Sequence, residues 1–150
     1  MLGKLTENQI EALLSGQHIG RLGCSSAQQC YIVPLNYIYR KGAIFSHSAP
    51  GRKIAMMRGN PRVCFQVDHI LDTYRWESVI CQGSFEEVTD PSEKQQVIQG
   101  IIHKMMPLTN SPEQQPSHGT GKDGPYEDSI IVFKIVILER TGRFEKQEVL

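Results

Sequence analysis

At 150 residues the chain is long enough to bury a core of its own, so neither disulfides nor a structural metal are needed to hold it. Sixteen basic and sixteen acidic residues cancel to a formal net charge of zero, which argues against a nucleic-acid partner held by a basic face. With 39% hydrophobic residues, no apolar run near the roughly 18 residues of a membrane span and no charged-then-apolar leader, the expectation is a globular, cytoplasmic chain without a membrane partner.

In chain order, Thr6-Glu7-Asn8-Gln9 reads as a capping box, and Ile10, Leu13 and Leu14 follow as one apolar stripe. A helix of about ten residues is predicted there, with Gly16 as its C′ stop. From His18 the period changes to that of a strand, with Ile19, Leu22 and Cys24 as apolar positions and Gly20 and Gly23 allowing close backbone approach. These glycines lack the Gly-x-Gly core and do not open a helix, which rules out a dinucleotide fingerprint. Ser25 to Gln29 reads as a polar turn.

Tyr31 to Tyr39 is β-branched and aromatic throughout, but Pro34 cannot donate to a ladder. This segment is therefore predicted as an edge strand, or one locally unpaired near Pro34. Arg40-Lys41-Gly42 is a hairpin turn with glycine in the left-handed position. The next strand, Ala43 to Ser48, should put Ile44, Ser46 and Ser48 on one face and Phe45 and His47 on the other. Arg52 to Arg58 is a short helix with Ile54 and Met57 inward, ended by Asn60-Pro61.

Arg62 to Val67 alternates as a strand, Asp68 to Arg75 reads as a polar connection, and Trp76 to Val88 is a long strand with a kink at Gly83. Asp90-Pro91-Ser92-Glu93 opens a helix whose apolar face is Val97, Ile98, Ile101, Ile102 and Met105, with Met105-Met106 as core filling. Residues 107–126 carry four prolines and three glycines, the composition of either a lid or a disordered loop. Asp128 to Arg140 is an apolar strand that should run through the middle of a barrel or face a partner subunit. A single, mainly β domain is predicted over 1–150: an antiparallel barrel of about six strands with two or three peripheral helices.

The four cysteines have no zinc spacing and read as reduced thiols, Cys64 and Cys81 buried in strands. The five histidines never fall at a chelating spacing, so no metal is expected. Neither a nucleophile elbow nor a P-loop is present. What remains is Ser46-His47-Ser48 followed by Gly51-Arg52-Lys53: hydroxyls, two cations and the free amides of a helix start. That combination suits a phosphate, although on spacing alone the solvated-helix reading of Arg52 and Lys53 comes first.

GRLG at 20–23, YIVPLNY at 31–37, FSHSAPGRK at 45–53, NPRVCFQVD at 60–68 and TGR at 141–143 together resemble the pyridoxamine-phosphate-oxidase-like flavoproteins, and among them the nitroimidazole-resistance (Nim-type) branch. The resemblance implies a split β-barrel homodimer with FMN in a cleft between subunits. By position it implies phosphate contacts from Ser46, Ser48, Arg52 and Lys53, a strand along the flavin ring at Val33, Pro34, Leu35 and Asn36, and a polar contact from Ser78. His47 matches a histidine near the flavin and is the candidate catalytic residue, as a proton donor to a reduced substrate. The C-terminal Arg/His segment of the vitamin B6 oxidases has no counterpart, so oxidation of that vitamin is not expected. The implied activity is an FMN-dependent reductase of nitroaromatic small molecules, fed by a nicotinamide-derived electron donor. A non-enzymatic flavin carrier or stress-related protein, and a haem-handling protein of the same fold, are the alternatives.

Overall fold

The computed structural model describes residues 1–108 and 129–147. Most of the predicted 107–126 loop and its lid-or-disorder alternative therefore lie outside the described residues. Among the described residues, eight strands form one antiparallel sheet accompanied by three α-helices: β1 (Leu2–Lys4), α1 (Glu7–Gly16), β2 (Ile19–Ser26), β3 (Gln29–Asn36), β4 (Ile38–Arg40), β5 (Ala43–Ser48), α2 (Arg52–Gly59), β6 (Arg62–Asp72), β7 (Arg75–Glu87), α3 (Pro91–Met105) and β8 (Ile131–Glu145). A single 3-10 turn, Met106–Leu108, follows α3.

The strand order is β3-β2-β6-β7-β8-β5-β4, with β1 added to β8. The two edge strands, β3 and β4, are consecutive in sequence and separated only by Tyr37. The sheet therefore curls until its edges meet at that residue without pairing, which makes it a split barrel. Tyr37 is fully buried; its amide donates to the His18 carbonyl at 3.3 Å, its hydroxyl donates to the Leu14 carbonyl at 2.6 Å, and its ring meets Phe65 edge-on. An aromatic ring in the core with every polar group engaged is a stiff pivot for the chain reversal.

The local signals explain the helices. Thr6 and Gln9 form the predicted capping box of α1, and Asp90 accepts from the Glu93 amide at the start of α3. Gly16 corrects the predicted stop: it is the last helical residue, and the chain leaves through an extended Gln17 instead of a left-handed glycine. Ile10, Leu13 and Leu14 of α1 join Ile54 and Met57 of α2 inside the barrel with Leu22, Phe65, Val79 and Phe133. The helix α3 covers the opposite face of β4, β5 and β8, where Val97, Ile101 and Met105 pack on Ile38 and Val132. Met106 corrects the Met105-Met106 expectation, because only Met105 is buried.

Two strands add to the expected six, and a third segment lengthens an expected strand. The segment β1 is too short to show a period and exists only through its ladder with β8. The run Tyr31–Tyr39 is interrupted at Tyr37, giving two edge strands in place of one. The predicted connection Asp68–Arg75 is mostly strand: β6 stays paired to β7 as far as Asp72↔Arg75 around a bulge, and its polar residues lie on an exposed ribbon. Glycine predictions fared better. A Cβ on Gly20 would come within 2.1 Å of the Phe65 ring, and one on Gly83 within 2.7 Å of the Val136 carbonyl, next to the register shift between β7 and β8. The strand β8 pairs with β7, β5 and β1, so its apolar first half runs mid-sheet.

Candidate functional site

A cavity of about 520 Å³ opens at the seam where the barrel splits. One wall is the edge strand β3, through Val33, Pro34, Leu35 and Asn36, with Ile19 of β2 beside it. The other wall is the end of β5, through His47 and Ser48, and the turn that leads through Gly51 into α2, where Lys53 lines the cavity. Because β3 is the sheet edge among the described residues, one side of its backbone has no strand partner there and leaves polar groups for another molecule.

The start of α2 differs chemically from the other two helix starts. Its N-cap is Gly51, which provides no side-chain hydrogen bond, so the first amides of the helix are not satisfied by a capping side chain. Lys53 sits among them, half-buried, and burial holds its ammonium below the ordinary lysine range. A cation with uncapped helix amides beside it is a site for an anionic group.

The structure brings together Val33, Pro34, Leu35, Asn36, His47, Ser48 and Lys53 of the residues expected from sequence. Three others sit elsewhere. Ser46 is 1% exposed and donates its hydroxyl proton to the Asn36 carbonyl at 2.7 Å, so it supports the β3 wall from behind. Arg52 points away, donating to Gln29 Oε1 at 3.1 Å with its guanidinium 5.1 Å from the centre of the Tyr31 ring. Ser78 lies on the open face of the sheet, where its hydroxyl accepts from Gln66 Nε2 at 2.9 Å. Gln66 Nε2 also donates to Asp68, which pairs with Arg21 at 2.8 Å. Arg21 is in register with Pro34, so this polar network begins beside the cavity wall. Ser48 lines the cavity with its hydroxyl donating to the Ala49 carbonyl at 2.7 Å.

Ile19 was missed by sequence reasoning. It is 54% exposed; strict alternation from the buried Leu22 and Cys24 puts it on the opposite, outward face, a signal lost when the three are grouped as equivalent apolar positions. Among the described residues no cluster of three or more His, Cys, Asp or Glu is arranged to hold a metal, and no helix is long and apolar enough to cross a membrane.

Comparison with known proteins bears on this geometry. A family model described as pyridoxamine 5'-phosphate oxidase matches residues 6–143. A curated, uncharacterised protein of Rhizobium meliloti (strain 1021) is 28% identical over 146 residues, spanning 93% of this chain and 92% of its own. Among solved structures, a FAD-binding protein of Mesorhizobium loti is 29% identical with a TM-score of 0.78, covering 97% of this chain and 99% of its own. A candidate 5-nitroimidazole antibiotic resistance protein of Bacteroides thetaiotaomicron shares the fold at a TM-score of 0.73 and 24% identity, over 96% of this chain and 87% of its own. With a family model spanning nearly the whole barrel, the chain belongs to the pyridoxamine 5'-phosphate oxidase family.

Proposed function

We propose that this chain is a flavin-binding protein, with FMN as the flavin, acting as a homodimeric reductase of small nitroaromatic molecules. The observation that carries the reading is the uncapped start of α2, with Lys53, opening into a cavity whose far wall is an unpaired strand edge. The residues present fit the group. Lys53 and the first α2 amides suit its phosphate, Ile19, Val33 and Leu35 suit the flat ring system, and the free β3 backbone suits the ring's polar edge. The FAD-binding relative from Mesorhizobium loti supports a flavin and leaves the longer dinucleotide as the competing form.

A bound flavin supplies two-electron transfer between a reduced nicotinamide and an acceptor. The chain's part is to hold and orient it, to exclude water with the apolar β3 wall, and to move a proton. His47 lines the cavity from β5 and is the residue we assign to proton donation toward a reduced nitro group. A second copy of the chain is supported by Ile19, Ile32 and Ile80, all more than two-fifths exposed on the same open sheet face as the Arg21–Gln66–Asp68–Ser78 network. Packing two such faces would cover the isoleucines and bring Ser78 of one copy toward the other's cavity.

The test is the visible spectrum of the purified protein. Flavin bands that chromatograph as FMN after heat release, followed by nicotinamide-dependent reduction of a nitroimidazole, are the expected results. Chromatography as FAD would correct the cofactor. Flavin without turnover would leave a carrier, and a Soret band or a colourless protein that takes up no added flavin would overturn the reading. Light scattering should give the mass of a dimer.

A further inference from the structure

A second cavity, of about 500 Å³, lies at the other end of β5, where Ala43 and Phe45 meet the first turns of α3 and the strand β8. It shares no lining residue with the cavity at the seam. Phe45, Val97 and Val136 give it apolar lining, while Arg40, Lys41 and Lys134 bring three cations against one acid, Glu93.

One of these cations is held against its own backbone preference, and a second rests on a glycine inside a helix. Lys41 and Gly42 form a two-residue hairpin loop in which both residues have positive φ, 52° and 75°. Asparagine, aspartate or glycine is favoured at the first of these positions, and a lysine there is strained. Arg40 lies against Gly100 in the interior of α3, and a Cβ at that glycine would come within 2.6 Å of Arg40 Nη2. Glycine is a poor helix former, so the helix gives up propensity at the place where the guanidinium rests. Among the described residues neither Arg40 nor Lys41 has an ion-pair partner, and Lys134 reaches Glu86 only at 3.7 Å. Strain and a helix-interior glycine, each at a cation with no ion-pair partner among the described residues, mark a binding site more readily than a solvated surface.

We propose that this cavity binds a small organic acid. Its anionic group, carboxylate or phosphate, is held by Arg40 and Lys41 with Lys134 alongside, and its apolar body lies on Phe45, Val97 and Val136. Glu93, which also lines the cavity, repels a second negative charge and so disfavours polyanions. The size suits a single aromatic ring with substituents. The proposal is independent of the flavin reading, since it uses none of the same residues.

The test titrates benzoate and phenyl phosphate into the full chain as purified, with benzyl alcohol as a neutral control, and follows the methyl resonances of Val97 and Val136. Saturable shifts at these valines with either acid support the proposal, and which acid binds tighter identifies the anionic group. Lys41→Asn is the decisive variant, because an Asn-Gly turn suits this hairpin and leaves the fold intact while removing a cation. Arg40→Gln and Lys41→Asn should each weaken the acid about tenfold, the scale of a lost charge-assisted hydrogen bond. No saturation by about 10 mM, a strength of binding below which no useful site exists, would overturn the proposal. So would equal binding of benzyl alcohol, unchanged affinity in both variants, or shifts confined to Val33 in the other cavity.

Discussion

The Ser46 hydroxyl donates to the Asn36 carbonyl at 2.7 Å, tying β5 to the last residue of the β3 wall. One residue later the Lys104 ammonium donates to the Tyr37 carbonyl at 3.2 Å. Successive carbonyls at the crossing from one sheet edge to the other are thus held by side chains from β5 and α3. The cavity wall is organised by these supports before any ligand arrives. Replacing Ser46 by alanine should cost about 1 kcal/mol, the net worth of such a bond. Thermal melts should show a fall of about 2–4 °C, and flavin titration a several-fold loss that leaves the bound spectrum recognisable.

Lys53 and Arg52 should separate sharply. Lys53 lines the cavity and is drawn below its usual pKa by burial, whereas Arg52 is engaged with Gln29 and the Tyr31 ring. Lys53→Gln is expected to weaken FMN about tenfold or more, and Arg52→Gln by less than about threefold. Fluorescence titration of each variant reads the difference. Equal losses would show that the guanidinium swings from Tyr31 to the phosphate when FMN binds.

Lys104 makes stability rise with pH over a defined window. Burial pushes its pKa from 10.5 down to about 8, although the ammonium lies 4.3 Å from the centre of the Tyr37 ring. Between about pH 8 and 10.5 the unfolded chain holds a proton on this lysine that the folded chain has released, so raising the pH favours folding there. Its favourable contribution is fully present above 10.5 and lost as the pH falls through about 8. Cys81, pushed up to about 11 by burial, acts in the opposite sense over an overlapping range. The measurement is therefore a difference: denaturant midpoints of the wild type minus those of Lys104→Met, which should climb from pH 8 to 10.

The hairpin between β2 and β3 carries avoidable strain. Ala27 and Gln28 have φ of 49° and 66°, left-handed values that neither side chain favours. Ala27→Asn with Gln28→Gly supplies the residues this turn prefers, and should add about 1–2 kcal/mol. A melting temperature higher by about 3–6 °C is expected, with flavin affinity unchanged because neither residue lines the cavity.

Much of this arrangement was legible in the residues. The capping signals at Thr6 and Asp90, the alternation over Ala43–Ser48 and the edge character given by Pro34 all match the fold. The site was partly legible for a geometric reason. Alternation correctly put Ser46 and Ser48 on one face, but the cavity lies at the end of β5, so only Ser48 lines it. Periodicity fixes the face of a side chain and is silent on how far along the strand a cleft begins. Nor can it say which hydroxyl is already engaged, as at Ser46, or which cation turns outward, as at Arg52. The pivot at Tyr37 was invisible for a similar cause: within a β-branched, aromatic run, nothing local distinguishes a residue that changes edges from one that continues a ladder.

The central place of β8 also sets an order of events. One side of the cavity comes from the sheet half β3-β2-β6-β7 and the other from β5, and among the described residues β8 is the strand whose ladders join the two halves. Its pairings reach back about 90 residues to Ala43 and about 140 to Leu2, and such distant pairings carry a large loop-closure entropy and slow the folding rate. The seam can be completed only once this late strand has docked. A ligand that bridges β3 and β5 therefore binds the finished fold and no earlier species, and its uptake during refolding would time the final step.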